Sequence, residues 1–339
     1  MLKRKYVLGC DVASQTFVCS LLKDPKNIVL QPKEFANNLS GFELCLRWLQ
    51  QAKISLKDVL ICMEHTGVYS ESLCYFFYEQ KVCVVIESGA KIKRSFKLTR
   101  HKTDEIDSIS IAEYAIRYAD HLQAWEPRKS AVEKMKSLVS SRELFIKQRT
   151  AMKNALGAYK RKVIKDELLQ EHYEKHIILL NDTIDQLEVE MASLITENAY
   201  WIKKTNDIKS ICGAKEMMAY NVFILSNAFS LEMNHKKLAA YLRICPYQYQ
   251  SGTSIKKKAK SPKYGPKIMR KLLYLASRSI STHNETFRAY YLRKVAEGKP
   301  GKLIRNNIAN KLLKLICAIV NSDKPFIPNY QSVNSALLK

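Results

Sequence analysis

The sequence predicts a mixed α/β domain followed by a mostly α-helical region. Up to about residue 127, short apolar runs alternate with amphipathic segments, a pattern typical of helices packed on a sheet. After Pro127 the chain becomes charged and helical in pattern, with one break between Pro246 and Pro266. Its 339 residues, 47% of them hydrophobic, are enough for two domains with separate cores.

The α/β part contains five predicted strands and three predicted helices. The predicted strands are 6–10, 16–22, 28–35, 58–63 and 82–86. The predicted helices are 40–52, 69–80 and 104–118. We expect the first three strands to form a meander. Ser40 and Glu43 have the spacing of a capping box, which predicts that the first helix begins at Ser40.

A heptad pattern of apolar residues lies in the charged, proline-free segment from 132 to 198. Its members are Ile177, Leu180, Ile184, Leu187, Met191 and Leu194. The alternating spacing of three and four residues is that of a coiled coil, and we predict that this segment mediates self-association. An intramolecular helical hairpin is the alternative, because the seam is short.

The composition points to nucleic acid as a partner. Lys and Arg number 56 against 32 Asp and Glu, a formal net charge of +24, which is typical of a polyanion-binding protein. An anionic membrane surface is the rival partner, but the longest apolar runs are far too short to span a bilayer. The N-terminus runs into a strand pattern instead of a signal peptide. Nine cysteines without a CxxC pair disfavour structural zinc and predict buried thiols in a reducing cytoplasm.

Four carboxylates occur in an order that predicts a metal site. Asp11 follows one apolar run, Glu64 closes another, and Asp104 and Asp107 open a predicted helix on one of its faces. This order is typical of ribonuclease-H-like sites, where carboxylates hold Mg²⁺, or Mn²⁺ in its place, at a scissile phosphate. Any single acid could instead be a surface residue, and Asp104 could simply cap its helix. Glu87 also follows an apolar run, but we do not interpret it as a ligand.

A basic segment follows in the helical region. Across residues 251–305 there are 15 Lys and Arg against two acids, Glu285 and Glu297. The predicted nucleic-acid contacts are Lys256, Lys257, Lys258, Lys260, Lys263, Lys267, Arg270, Lys271 and Arg278, with Lys102 near the carboxylates. On the helix that begins at Pro266, we expect Leu272, Leu275 and Ala276 to lie opposite the basic side. Ser251 precedes Gly252 in this segment, and on spacing alone such a serine is most often part of a turn.

These motifs together resemble the DEDD transposases of the IS110 family, which include the Piv-type DNA invertases. The motifs that carry the resemblance are Leu8–Ala13, Met63–Tyr69, Lys102–Ser108, Tyr249–Ser254, Lys263–Gly265 and Arg270–Leu272. The chain departs from the family pattern at Ser108, where alanine is usual. It also departs at Ser210–Lys215, which lacks the proline and second glycine of the family's hairpin turn.

The resemblance implies a fold and a set of site residues. It implies a RuvC-like domain over 1–128, a helical coiled-coil segment over 129–200 and a helical transposase domain over 201–339. The implied catalytic residues are Asp11, Glu64, Asp104, Asp107 and Ser251, and the four carboxylates would bind the metal. In the family, the serine and the acidic tetrad form one composite site, and the serine becomes covalently linked to DNA.

The resemblance also implies partners. Family members recombine element and target DNA under the direction of a structured RNA encoded by the element, the bridge RNA. They assemble as dimers that pair into tetramers. We therefore expect element-end and target DNA, a guide RNA and further copies of this chain as partners, in the cytoplasm at the bacterial nucleoid.

The resulting hypothesis is a site-specific DNA recombinase of an insertion sequence that acts through a serine–phosphodiester intermediate. The alternative enzyme is a RuvC-like, Mg²⁺-dependent junction nuclease, in which water attacks and Ser251 is only a loop residue. A non-enzymatic nucleic-acid-binding protein with an inactive nuclease fold is the third possibility, and the intact tetrad argues against it.

Overall fold

A computed structural model describes most of the chain. The described residues are Leu2, Arg4–Phe96, Thr103–Ser251, Ile255–Ser261, Gly265–Ser322 and Lys324–Ile327, with only the backbone given for 248–251 and 255–260. The chain forms two compact units, Met1–Pro127 and Arg128–Lys339. In keeping with the sequence pattern, the first unit is a mixed sheet with helices and the second is mostly helical.

The first unit is built on a five-stranded sheet. Its strands are β1 (Tyr6–Val12), β2 (Thr16–Asp24), β3 (Asn27–Ala36), β4 (Val59–Glu64) and β5 (Cys83–Glu87), in the order β3-β2-β1-β4-β5. The meander prediction is confirmed, because β1, β2 and β3 pair antiparallel in sequence order. Strands β4 and β5 run parallel to β1, so that helical crossovers connect them.

The helices of this unit are α1 (Leu39–Gln51), α2 (Glu71–Glu79), α3 (Gly89–Ser95) and α4 (Asp104–Arg117). The predicted capping box at Ser40 is wrong. The side chain of Asn38 accepts a hydrogen bond from the Gly41 N–H at 3.0 Å, and the Ser40 hydroxyl donates to Asn38 at 2.8 Å. Asparagine is as good an N-cap as serine and lies earlier in the chain, so that α1 begins sooner than predicted. Helix α3 was not predicted.

The second unit begins with a long helical hairpin, α5 (Ser130–Tyr159) and α6 (Glu167–Thr196). Three cross-helix pairs show that the helices are antiparallel: Arg142–Glu188, Arg149–Asn181 and Lys160–Glu174. Three residues of the heptad seam, Ile184, Met191 and Leu194, are buried within the single chain. The structure therefore shows the intramolecular hairpin, and a coiled coil between chains is not confirmed.

The rest of the second unit is helical around one core. Its elements are α7 (Ala199–Lys209), α8 (Glu216–Leu225), α9 (His235–Tyr241), β6 (Tyr247–Ser251), β7 (Ile255–Lys260), α10 (Lys267–His283), α11 (Glu285–Ala296) and α12 (Gly301–Ser322). The predicted break is an antiparallel hairpin of β6 and β7. A fully buried lysine, Lys204, donates to the carbonyl oxygens of Ile319 and Val320, and its charge stabilises the carboxyl end of α12.

Among the helices that the structure describes, none combines the length and the apolar composition that a membrane span needs.

Candidate active site

The register of β1 and β4 brings two of the predicted ligands side by side. The two strands are parallel, and Cys10 lies opposite Met63 as the last pair of the ladder. Asp11 and Glu64 each follow by one residue, so that they occupy matching positions on adjacent strands. Both side chains are half-buried.

Asp11 and Glu64 also face the same side of the sheet. Successive side chains of a strand alternate between the two faces of the sheet, so Asp11 lies on the same face as Gly9, and Glu64 on the same face as Cys62. Gly9 and Cys62 are paired neighbours on the two strands, so all four residues lie on one face. Helix α4 packs on this face, because a Cβ at Gly9 would lie 2.1 Å from the carbonyl oxygen of Ser108. Cys62 belongs to the apolar cluster that includes buried residues of α4.

Helix α4 carries the other two carboxylates in its first turn. The side chain of Thr103 is the N-cap and accepts a hydrogen bond from the Ile106 N–H at 3.3 Å. Asp104 is therefore the first helical residue and does not cap the helix itself. Asp104 is exposed and Asp107 is half-buried. Negative charge in the first turn is favourable, because the helix N-terminus carries partial positive charge.

A buried pair of hydroxyls fixes α4 to the sheet one residue after Asp107. The hydroxyls of Ser108 and Ser20 are hydrogen-bonded at 3.2 Å, and both side chains are fully buried. Ser20 lies opposite Gly9 on β2. Ser108, where the family that the chain resembles usually has alanine, thus makes a polar contact between α4 and β2 next to the first turn of α4.

The carboxylate of Glu64 lies against the start of α3. A Cβ at Gly89 would lie 1.7 Å from its Oε1 atom, so that any side chain at position 89 would displace this carboxylate. Glycine at position 89 thus leaves room for the present orientation of the Glu64 carboxylate, and the sequence gives no local signal for this contact between residues 25 positions apart.

Glu87, on the neighbouring strand, is occupied by other groups. Its carboxylate accepts hydrogen bonds from the Ser88 N–H at 2.8 Å and the Tyr114 hydroxyl at 3.3 Å, and it pairs with Lys91 at 3.0 Å. Burial, together with the charge of Glu87, raises the pKa of Tyr114 to about 12. The Glu87 carboxylate is therefore engaged by Ser88, which precedes α3, and by groups of α3 and α4.

Thiols next to the tetrad are not suited to join it. Burial raises the pKa of Cys10, with smaller contributions that include the charge of Asp11, and burial likewise raises the pKa of Cys62. Both thiols therefore keep their protons at neutral pH. Because a thiol must lose its proton to bind a metal, they are neutral core side chains and not ligands.

The four carboxylates share a region of the fold but do not form a closed metal site. Among the described residues, which include all four acids, no three His, Cys, Asp or Glu side chains are placed to hold a metal ion together. Their donor set nevertheless fits a hard divalent cation, since all four offer carboxylate oxygen. The backbone supplies the arrangement, and the side chains would have to turn toward one another.

The predicted nucleic-acid residues of the second unit are only partly described. Ser251 is the last residue of β6, where it pairs with Ile255 across the hairpin. The structure does not describe several predicted contact residues. Outside the described part of the chain are the side chains of Ser251, Lys256, Lys257, Lys258 and Lys260, and the whole of Lys102 and Lys263.

The basic residues predicted on α10 differ in their exposure to solvent. Lys267, Lys271 and Arg278 are exposed, and Arg270 is half-buried. Lys271 is also ion-paired with Glu143 of α5 at 3.1 Å. The prediction that Leu275 lies on the opposite side is wrong, because Leu275 is 48% exposed and follows Lys271 by one helical turn.

The hairpin turn between α7 and α8 packs against α10. Gly213 has a φ of 86°, and a Cβ there would lie 3.0 Å from the carbonyl oxygen of Ala276 and 2.9 Å from the Cβ of Ser279. Glycine is therefore required both by the backbone conformation and by the close approach of α10.

The positive charge is distributed unevenly. Residues 1–127 contain 17 Lys and Arg against 15 Asp and Glu. Nearly all of the net charge of +24 thus belongs to the second unit.

Two family models match successive parts of the chain, and the first match extends from the first unit into the second. A DEDD transposase model of the IS110 type matches residues 8–159, which include the four carboxylates. A model described as a transposase of the IS116/IS110/IS902 family matches residues 206–292, which include Ser251. The pilin gene-inverting protein of Moraxella lacunata is 26% identical over 331 residues, 95% of this chain and 98% of that protein. The protein of the same name from Moraxella bovis is 26% identical over 330 residues, with the same coverage.

Proposed function

Because this chain belongs to the IS110 family of transposases, which cleave and rejoin DNA, we propose that it is the site-specific recombinase of an insertion sequence. DNA is its substrate. The two relatives are named for inverting a pilin gene, and inversion, like transposition, requires DNA strands to be cut and joined to new partners.

The observation that carries the proposal is the placement of Asp11, Glu64, Asp104 and Asp107 on one side of one sheet. DEDD transposases generally use a divalent metal, and the proposed ion here is Mg²⁺, with Mn²⁺ as a substitute. A bound ion would neutralise charge on the scissile phosphate and favour ionisation of an attacking hydroxyl. Asp11 and Glu64 would hold it from the strand ends, and Asp104 and Asp107 from the first turn of α4.

Ser251 is the proposed nucleophile, on the strength of the family resemblance. Its oxygen forms a bond to the phosphorus, the bond from phosphorus to the 3′ oxygen breaks, and that oxygen leaves as a hydroxyl. A 3′ hydroxyl of the partner strand then attacks the phosphoserine and releases the serine. Each step exchanges one phosphoester bond for another, so that no nucleotide hydrolysis is required.

A guide RNA and an assembly of dimers into tetramers are part of the proposal. Support for both comes from the resemblance, and for RNA also from the excess positive charge of the second unit. The buried residues of the heptad seam pack within the α5–α6 hairpin of one chain, so the proposed interface between copies would be formed by other surfaces. A cytoplasmic, nucleoid-associated location accompanies the DNA substrate.

A Mg²⁺-dependent junction nuclease is the second candidate. It is favoured by one observation: all four carboxylates belong to the first unit, so that hydrolysis by water requires nothing from Ser251. In this case the cleaved DNA would never be attached to the protein.

Covalent trapping separates the two functions. The full chain is mixed with Mg²⁺, element-end DNA and RNA transcribed from the flank of the element, then denatured and separated by size. Asp11→Ala and Ser251→Ala are compared with Glu87→Gln, a matched acid at the end of the adjacent strand that already has partners. The recombinase predicts a protein–DNA adduct in the wild type and Glu87→Gln, and its loss in Asp11→Ala and Ser251→Ala.

Free cleaved DNA without an adduct identifies the nuclease instead, if it persists in Ser251→Ala and disappears in Asp11→Ala. Unchanged adduct formation in Ser251→Ala contradicts the proposed nucleophile. Equal loss in Glu87→Gln and Asp11→Ala contradicts the choice of ligands.

A further inference from the structure

A surface cavity lies in the second unit, between the start of α11, one side of α12 and the segment Lys324–Ile327. Its volume is about 950 Å³, at the upper end of the range of roughly 300–1,000 Å³ that is usual for ligand sites. It involves none of the carboxylates and none of the residues predicted to bind nucleic acid.

The apolar part of the cavity includes two aromatic rings. Phe287 and Phe326 line it, and both pack against the core of the second unit. The Phe326 N–H donates to the Ser210 hydroxyl at 3.0 Å, which holds this segment to the turn after α7. The Phe287 N–H donates to the N-cap side chain of Asn284 at 3.1 Å. These hydrogen bonds fix the backbone that carries each ring, and the rings themselves pack against the core.

The polar part of the cavity is positively charged. Lys311, Lys314 and Lys324 line it and are exposed. Among the lining residues that the structure describes, none is acidic. The Lys311 ammonium also lies 4.8 Å from the centre of the Tyr290 ring, which extends the cationic and aromatic surface along α11. Helix α11 also begins at this wall, but Glu285 in its first turn offsets the partial positive charge of its N-terminus, so that the three lysines supply the charge of the cavity.

We propose that this cavity binds an unpaired nucleotide in a single-stranded segment of nucleic acid. The base would stack against Phe287 and Phe326, and its phosphates would lie at Lys311, Lys314 and Lys324. A ligand that fits must combine a flat apolar face with negative charge. A base inside a duplex is already stacked on both faces, so the site selects unpaired strands.

An anionic lipid also combines an apolar part with negative charge. Nucleic acid is favoured because this unit carries nearly all of the net charge of +24 and belongs to a DNA-cleaving family. The site goes beyond the proposed function, because binding there requires no metal and no catalytic residue.

Fluorescence anisotropy measures strand binding by the full chain in the presence of EDTA. Because EDTA removes the divalent metal, the result does not depend on whether the proposed cleavage reaction is correct. The full chain is titrated into short labelled oligothymidylate and oligouridylate strands, and into a duplex of equal length. The variants are Phe326→Ala, which removes a ring, and Lys314→Gln, which removes a charge. The matched control is Lys302→Gln, which removes an exposed charge of α12 outside the cavity.

Phe326→Ala should lower the affinity for single strands about tenfold, because stacking of one base on one ring usually contributes this much or more. Lys314→Gln should lower the salt slope by about 0.7, the amount expected for one lost phosphate contact on a single strand. Lys302→Gln and the duplex affinity should show neither effect. A stronger effect on thymidylate or uridylate identifies the strand as DNA or RNA, and either supports the site.

Equal loss in the Lys302→Gln control, or loss confined to the duplex, overturns the proposal. Binding of phosphatidylglycerol vesicles that falls in Phe326→Ala, while strand binding does not, identifies a lipid site instead. If Phe326→Ala lowers the melting temperature, Phe326→Leu replaces it, because leucine keeps the apolar contact but lacks a flat ring. Photo-cross-linking of bromouracil strands must label the peptide containing Lys324–Ile327, and labelling only elsewhere also overturns the proposal.

Discussion

Replacement of Gly9 by alanine tests whether the contact between β1 and α4 sets the candidate active site. A Cβ at this position would lie 2.1 Å from the carbonyl oxygen of Ser108 and 2.5 Å from the backbone nitrogen of Ala112. Cβ atoms essentially never approach heavy atoms closer than 3.0 Å. Both neighbours are backbone atoms and cannot rotate away, so α4 must move from the sheet by about 1 Å in a close-packed interior.

This displacement should have two measurable effects. Overpacking of this kind usually lowers the free energy of unfolding by about 1–3 kcal/mol. It also moves Asp104 and Asp107 away from Asp11, and a misplacement of about 1 Å at a reacting centre costs on the order of a hundredfold in rate. Cleavage of element-end DNA is measured at a temperature where circular dichroism shows that Gly9→Ala is folded.

Gly157→Ala is the matched control, because a Cβ at position 157 meets nothing within 4 Å. Its cleavage rate should equal that of the wild type. Alanine should even stabilise α5 by roughly 0.5–1 kcal/mol, since glycine is the poorer helix former. If Gly9→Ala cleaves at the wild-type rate and keeps its melting temperature, the packing of α4 on β1 does not position the carboxylates and the argument fails.

Three further perturbations test other parts of the fold. Ser108→Ala leaves the buried Ser20 hydroxyl without its partner, so that the free energy of unfolding measured in urea should fall by about 1–2 kcal/mol. The double variant with Ser20→Ala should recover part of this loss of stability, and no recovery would contradict the pairing. Met191→Ala should lower the free energy of unfolding by about 2–5 kcal/mol without changing the sedimentation coefficient. If the variant instead dissociates an oligomer, the heptad seam lies between chains. Val189→Ala, whose side chain is 70% exposed, should change neither. The pKa of Tyr114 is raised to about 12 in the folded state from an ordinary 10. Between these values the folded state keeps a proton that the unfolded chain loses, so the free energy of unfolding should fall from pH 10 to pH 12. Tyr114→Phe should lessen this fall, and an identical pH profile would contradict the assignment.

The candidate ligands could be found in the sequence because each has a local signal. Asp11 and Glu64 end apolar runs, and Asp104 and Asp107 open a helix. The groups that position them have no such signal. The hydrogen bond between Ser20 and Ser108 joins residues 88 positions apart, and the need for glycine at position 9 exists only because α4 returns to that strand.

Sequence patterns failed where one pattern fits two structures. Asn38 and Ser40 are both good caps, and only the chain path decides between them. The heptad seam around Met191 would look the same in a dimer and in a hairpin, since either partner helix offers the same apolar surface. The short helix Gly89–Ser95 has too few residues for a periodic signal, and Leu275 lies where the basic and apolar sides of α10 meet.

The uneven charge of the two units has a consequence for how the enzyme handles DNA. Four carboxylates on one side of a sheet repel phosphate, and the first unit has almost no excess of positive charge with which to offset that repulsion. In the proposed function the second unit provides the attraction, and charges such as Lys267 and Arg278 would release counterions on meeting phosphates. Affinity should therefore depend on salt through the second unit, and chemistry should depend on the metal through the first. A variant such as Asp11→Ala removes a repulsive charge as well as a proposed metal ligand, so that it should bind DNA at least as tightly as the wild type while cleaving none of it.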